Sequence, residues 1–355
     1  MLTPGAFGYP ADYVLFWLVF LSLVAHTWCF FRFFPWTKRR RLGLAIGNSL
    51  IFLCLNGVIF LIGESHERFM AVRTDSFGVS LPARRWFVLH TKLNSYDCRD
   101  HEWVSPKPPG VKRIAYLGDS FTYGWGVEDV ADRFADRLQS KFDAQRPGTV
   151  EVMNVAKPGW GTGDHVQRLP DILNRFDPDE VVLCYVLNDI EDLIPRPAEF
   201  DPTRPPEPTW FNPDTSCFLD FLWRRVWLPR LPSVRGYPDW LVDGYAEASV
   251  WNTQRARLLQ LKDFCSERGA TFRVALLPYV REGGVRFDGT KLRVQMNDFL
   301  TGQGVQVLDL GTTIANVDPQ ALMVNRGDAH PNGRAHELFA DRLWKVWYES
   351  KHSSH

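Results

Sequence analysis

Apolar and polar positions divide the chain into an amino-terminal part and a larger remainder. Residues 13–31 and 42–63 contain no Asp, Glu, Lys or Arg, and each is close to the ~20 apolar residues that cross a bilayer as a helix. From about residue 111 the pattern changes to short apolar runs separated by segments of helical period. It predicts strands over 113–117, 150–155, 180–187, 271–277 and 305–310. Helices are expected over about 129–143, 164–174, 247–268 and 290–300, and from Gly333 to about residue 350. Five strands alternating with helices predict an α/β protein, a three-layer α/β/α sandwich with a five-stranded parallel sheet.

The predicted organisation is therefore a two-helix transmembrane hairpin over residues 1–64, a juxtamembrane connector over 65–110 and one catalytic-sized domain over 111–350. The α/β alternation breaks at about 194–245, where prolines crowd around Trp210, Trp223, Trp227 and Trp240. An insertion of that length serves as a lid or substrate wall, or as a packed structural flap; composition leaves both open.

Charge fixes the expected orientation. Between the apolar segments stand Arg32, Lys38, Arg39, Arg40 and Arg41 with no acidic residue, and the positive-inside rule puts such a loop in the cytoplasm. Both flanks of the hairpin, including everything after about Glu64, are then extracytoplasmic. A cleaved signal sequence over 13–31 is the alternative, but no basic region precedes it and no small-residue cleavage site follows. Over the whole chain charge is even, with 41 Lys plus Arg and 41 Asp plus Glu, which gives no argument for a nucleic-acid partner. Cys29 and Cys54 lie inside the spans, Cys184 in a core strand and Cys265 in a helix. Cys98 and Cys217 remain for loops, where an oxidising compartment could pair them.

The candidate chemistry sits at strand ends. Gly118-Asp119-Ser120-Phe121-Thr122 follows the apolar run from Ile114 to Leu117, which places a serine where a buried strand leaves its sheet, the position at which open α/β sheets bind ligands. Asn154-Val155-Ala156-Lys157-Pro158-Gly159-Trp160-Gly161 closes the second strand with glycines that let backbone approach a ligand, and Asn188 ends the third. Asp328-Ala329-His330-Pro331-Asn332 precedes the last helix. A serine, a glycine turn, a side-chain amide and an Asp/His pair are the parts needed for acyl transfer. Each also has a plainer reading: Asn332 as a helix cap, Asn188 and Asp189 as a strand-ending turn, Asp119 as an Asx turn. His26, His66, His90, His101, His165 and His336 show no partner pattern and read as mostly surface or interfacial. No Cys/His cluster with metal-ligand spacing and no Walker-type loop is present, so neither metal nor cofactor is implied.

In the order and spacing of these four blocks the chain resembles the SGNH, or GDSL, hydrolase family from about residue 114 to 343. The resemblance implies a flavodoxin-like strand order 2-1-3-4-5. It also implies Ser120 as nucleophile and His330 as base, oriented by Asp328, with an oxyanion hole formed by the Ser120 amide, the Gly159 amide and the Asn188 side chain. Two departures stand out. The last block reads Asp-x-His where the commonest family pattern is Asp-x-x-His, and Gly327 occupies the acid's usual place; Asp-x-His is similar to the variant of membrane-associated, polysaccharide-modifying members. Gly161 also competes with Gly159 for the oxyanion role, although counting five residues from Asn154 favours Gly159. The expectation is a membrane-anchored extracytoplasmic serine esterase or O-acyltransferase, acting on an ester of a glycan, lipid or envelope polymer. As a transferase it would work with a membrane partner that delivers the acyl group. The competing class is a catalytically idle envelope binding or assembly protein that keeps the fold as a platform.

Overall fold

The structure, a computed structural model, describes residues 40–196, 207–208, 211–280 and 289–349, with positions 21, 24, 25, 28 and 29. Most of the first expected span (13–31) and of the basic loop (32–41) lies outside the described residues, as do 197–206 of the insertion. The chain divides into two compact units, Met1–Val72 with Ser80–Pro82 and Glu207–Trp227, and Arg73–Val79 with Ala83–Pro206 and Leu228–His355.

The smaller unit is organised around helix α1 (Arg40–Ser65), which continues into a further helical turn, His66–Met70. Residues Ile46–Met70, 25 residues, are long and apolar enough to cross a membrane, with an 18-residue stretch whose mean hydropathy is 2.0. Phe52, Leu55, Ile59 and Ile62 are exposed along this helix, the arrangement expected of a helix whose solvent is lipid. At its end Glu64 is buried and accepts hydrogen bonds from Ser216 Oγ (2.9 Å) and from the N–H groups of Cys217 (3.2 Å) and Phe218 (2.9 Å). Its charge is answered by Arg68 Nε at 2.8 Å. A carboxylate on the orphan amides of a helix start is a favourable cap; the helix is Cys217–Leu222 in the insertion. Cys217 thus opens a helix rather than sitting in a loop, and all six cysteines, Cys98 included, are free thiols in this structure.

The larger unit holds strands β1 (Lys112–Gly118), β2 (Val150–Ala156), β3 (Glu180–Tyr185), β4 (Thr271–Leu276) and β5 (Gln306–Asp309). They form one all-parallel sheet in the order β2-β1-β3-β4-β5. Successive residues face opposite ways: Val181, Leu183 and Tyr185 of β3 join one core, Val182 and Cys184 the other. The first core is covered by α2 (Thr162–Phe176), α3 (Pro232–Ala246), α4 (Ala248–Glu267) and α5 (Gly289–Gly302). Phe134, Leu138 and Phe142 of Phe134–Gln145 and Phe339 and Leu343 of Gly333–Leu343 cover the second. This is the three-layer sandwich the apolar pattern predicts.

Several boundaries differ from expectation. Asp129 caps a short turn, Val130–Asp132, and Arg133 is extended (φ −75°, ψ 150°), so the helix expected from 129 begins at Phe134. The third strand stops at Tyr185, because residues from Leu187 wind into a helical turn, Leu187–Leu193. His165 and His336, expected near the surface, are buried. Each lies on the inner face of its helix, His165 in register with Leu169 and Ile172, His336 with Phe339 and Leu343, and spacings of 3, 4 and 7 share one helical face.

Candidate active site

The parallel sheet sets β1 between β2 and β3, so the turns leaving these three strands lie side by side at the carboxyl edge, at the point where strand order reverses. Gly118 ends β1, and a Cβ there would lie 2.0 Å from Thr122 Oγ1, so the tight exit requires glycine. Asp119 then caps a one-turn helix, Ser120–Tyr123, its Oδ1 accepting the Phe121 N–H at 2.8 Å. Ser120 is the first residue of that turn and is half-buried. Asn154 of β2 braces the turn by donating from Nδ2 to Thr122 O at 2.8 Å.

The Asp/His pair lies on a short strand before the last helix. Asp328–Pro331 pairs antiparallel with Met323–Asn325. Residues two apart on a strand point to the same face, which lets Asp-x-His do what the longer spacing does elsewhere. Asp328 Oδ1 accepts the His330 backbone N–H at 3.1 Å and His330 Nδ1–H at 2.5 Å. That bond leaves the Nε2 lone pair to accept from Ser120 Oγ, 2.8 Å away. Burial alone would lower the His330 pKa, but the carboxylates around it, Asp328 foremost and then Asp119 and Asp75, together raise the imidazole above its usual value. Asp328 is fully buried, yet His330 holds its carboxyl below the ordinary range. Asn332 does cap the final helix, accepting from the N–H groups of Arg334 and Ala335, so the plain reading of that residue also holds.

Asn188 is half-buried on the Leu187–Leu193 turn and donates from Nδ2 to Asp119 Oδ2 at 3.2 Å. Asp119 therefore does more than close a local turn: its buried carboxylate links the serine turn to the asparagine turn. Burial raises its pKa against the lowering effect of the Phe121 amide and Asn188. Neighbouring Asp189 is fully buried, and burial, then Asp119, push its carboxyl well above the ordinary range. On the glycine turn, Gly159 adopts φ +82°, while Gly161 commits its N–H to Asp164 Oδ2 at 3.0 Å as part of a capping box. Between the two glycines, Gly161 is thus the one with its amide already spent. Aromatic rings pack beside the histidine: Phe121 lies 5.3 Å from the His330 ring and 5.7 Å from Tyr279.

A serine hydroxyl on a strand-end turn, hydrogen-bonded to a histidine that is itself held by a buried carboxylate, defines a serine hydrolase on a parallel α/β sheet. Residues 116–338 match the model of the GDSL-like lipase/acylhydrolase family, and the chain belongs to that family. No curated protein matches the sequence. Among solved structures it is similar to TesA, at 15% identity over 66% of this chain and 97% of that one, with a TM-score of 0.42. It is also similar to the psychrotrophic esterase EstA from Pseudoalteromonas sp., at 16% identity over 66% and 95% of the two chains (TM-score 0.41). A catalytic mutant of Axe2, an acetylxylan esterase from Geobacillus stearothermophilus, matches at 15% identity over 67% and 95% (TM-score 0.41).

Proposed function

We propose that the protein is a membrane-anchored esterase or O-acyltransferase working through an acyl-Ser120 intermediate outside the cytoplasm. The observation that carries this reading is the continuous relay from Ser120 Oγ through His330 to Asp328, with bonds of 2.8 and 2.5 Å. Serine is a weak nucleophile near neutral pH and needs a base in hydrogen-bond reach, itself held in one tautomer. His330 Nε2 takes the Ser120 proton as Oγ attacks the ester carbonyl. The negative charge that develops on the carbonyl oxygen meets the N–H groups of Ser120 and Gly159 and the Asn188 amide. His330 then passes its proton to the departing alcohol, leaving acyl-Ser120. Water or a sugar hydroxyl, deprotonated by His330, releases the acyl group. Hydrolase and transferase share these residues and differ in which acceptor arrives; a transferase would draw its acyl group through a membrane partner.

The substrate class we favour is an ester of a glycan, lipid or envelope polymer, because the apolar helix Ile46–Met70 and the basic loop before it would tether the catalytic unit beside the membrane on its outer side. Ser120→Ala tests the chemistry. The variant is expected to fold and to lose covalent labelling by a fluorophosphonate, with intact mass showing the adduct only in the wild type; labelling that persists would remove Ser120 from the role.

A further inference from the structure

Behind the turns that carry Gly159 and Asn188 runs a chain of four buried polar side chains that the acyl-transfer steps do not use. Gln254 of α4 donates from Nε2 to Thr162 Oγ1 at 2.7 Å and to Tyr185 OH at 3.2 Å. Tyr185 OH meets Tyr245 OH at 2.5 Å, and Tyr245 donates to the Leu187 carbonyl at 3.0 Å. Thr162, Gln254, Tyr185 and Tyr245 are 0, 0, 1 and 2% exposed. The protons run one way along it. Tyr245 spends its hydrogen on Leu187, so Tyr185 must give its hydrogen to Tyr245 and accept from Gln254.

The ends of this chain are significant. Thr162 begins α2 directly after the Gly159–Gly161 turn, and the Leu187 carbonyl belongs to the peptide plane leading into Asn188. Where the two turns meet there is no slack, since a Cβ on Gly161 would lie 2.9 Å from Asp189 O. Further ties hold the asparagine turn from the same side: Tyr237 of α3 donates to Glu191, and Arg257 of α4 to Asp192 at 2.9 Å. Two of the four members, Tyr245 and Gln254, come from helices at and beyond the end of the insertion.

From this we infer that Thr162, Gln254, Tyr185 and Tyr245 are positioning residues that fix the separation of the Gly159 amide and the Asn188 side chain, and so set the oxyanion hole. The inference rests on the oxyanion roles proposed above. A hole built from two independent turns stabilises a developing charge only while both donors stay aimed at it, and buried hydrogen bonds that link the two turns limit how far they can drift.

The test uses the full chain in detergent with p-nitrophenyl acetate as probe, comparing Asn188→Ala, Tyr245→Phe and the double variant for kcat and KM. Asn188→Ala should lower kcat by ~10²–10³, the effect of removing one such donor. Tyr245→Phe should lower kcat by ~10-fold or more with KM within about twofold, since a 1 Å misplacement can cost 10²-fold. The double variant should be no slower than Asn188→Ala alone, because residues acting through one group are not additive. Losses that multiply in the double variant, or an unchanged kcat in Tyr245→Phe, would overturn the inference. An unchanged kcat in Asn188→Ala strikes instead at the oxyanion assignment beneath it, and absence of wild-type turnover together with absence of Ser120 labelling strikes at the function itself. If Tyr245→Phe does not fold, Thr162→Val and Thr162→Ser carry the test: slow turnover in the first and recovery in the second support positioning, and equal losses in both refute it.

Discussion

Asp328 reaches His330 through one intervening residue because the segment is extended, and this sets what its removal does. Asp328→Asn keeps the shape of the side chain but offers an N–H where Nδ1–H needs an acceptor. The imidazole then turns to the wrong tautomer, and kcat should fall by up to ~10⁴, the effect of the equivalent change in Ser-His-Asp proteases. The pH profile gives a second readout. As the proposed base His330 acts only when unprotonated, and its folded pKa is raised on balance by the surrounding carboxylates, Asp328 foremost. A raised pKa keeps the proton on to higher pH. The acid limb of kcat/KM should therefore have its midpoint above the ~6.5 of an ordinary histidine, and Asp328→Asn should move it down. A wild-type midpoint at or below that value would mean Asp328 does not charge-couple to the base. The residues of this relay were legible in the sequence, each lying in a short motif. The reason the short spacing works was not, because it depends on Met323–Asn325 pairing with Asp328–Pro331 to hold the segment as a strand.

At the scale of elements, the sheet was readable because parallel strands are buried on both faces and so appear as uninterrupted apolar runs; all six residues of β3 are buried. What could not be read is how the turns are joined to one another. Asp119 and Asn188 are 69 residues apart, Tyr245 and Leu187 58, and Gln254 and Thr162 92, and no local pattern signals such contacts. The insertion likewise proved to be divided: residues 207–227 fall in the smaller unit, while α3 closes over the asparagine turn. Gly161 tests how tightly these turns are joined. Gly161→Ala forces a methyl against the Asp189 carbonyl, a backbone atom that cannot rotate away, and should cost about 1–3 kcal/mol as overpacking does, with a fall in kcat. Gly302→Ala meets nothing within 4 Å and should leave both unchanged. Equal melting temperatures for the two variants, measured by thermal denaturation, would show that the turns have room to part.

For the molecule as a whole, the apolar helix and the α/β unit were both visible in the sequence, since length and hydropathy alone identify them. The proposed sidedness of the chain rests on five basic residues between 32 and 41. Cysteine-accessibility or reporter fusions should put residue 37 inside and residue 110 outside; the reverse would give the catalytic unit cytoplasmic substrates. The Glu64 cap has a practical corollary. Residues 216–218 of the insertion take their hydrogen-bond acceptor from Glu64, and Phe218 stacks edge-on against Phe60 at 5.7 Å with its ring filling the space beside Gly63. A shortened chain made by deleting everything up to residue 72 would therefore lose more than its apolar helix. It would carry a helix start whose Ser216 hydroxyl and Cys217 and Phe218 amides have lost their acceptor, with a bared phenylalanine in the middle of its chain, and should be recovered as aggregate or be clipped by protease near residue 218, whereas deleting 207–227 as well should restore a monodisperse protein.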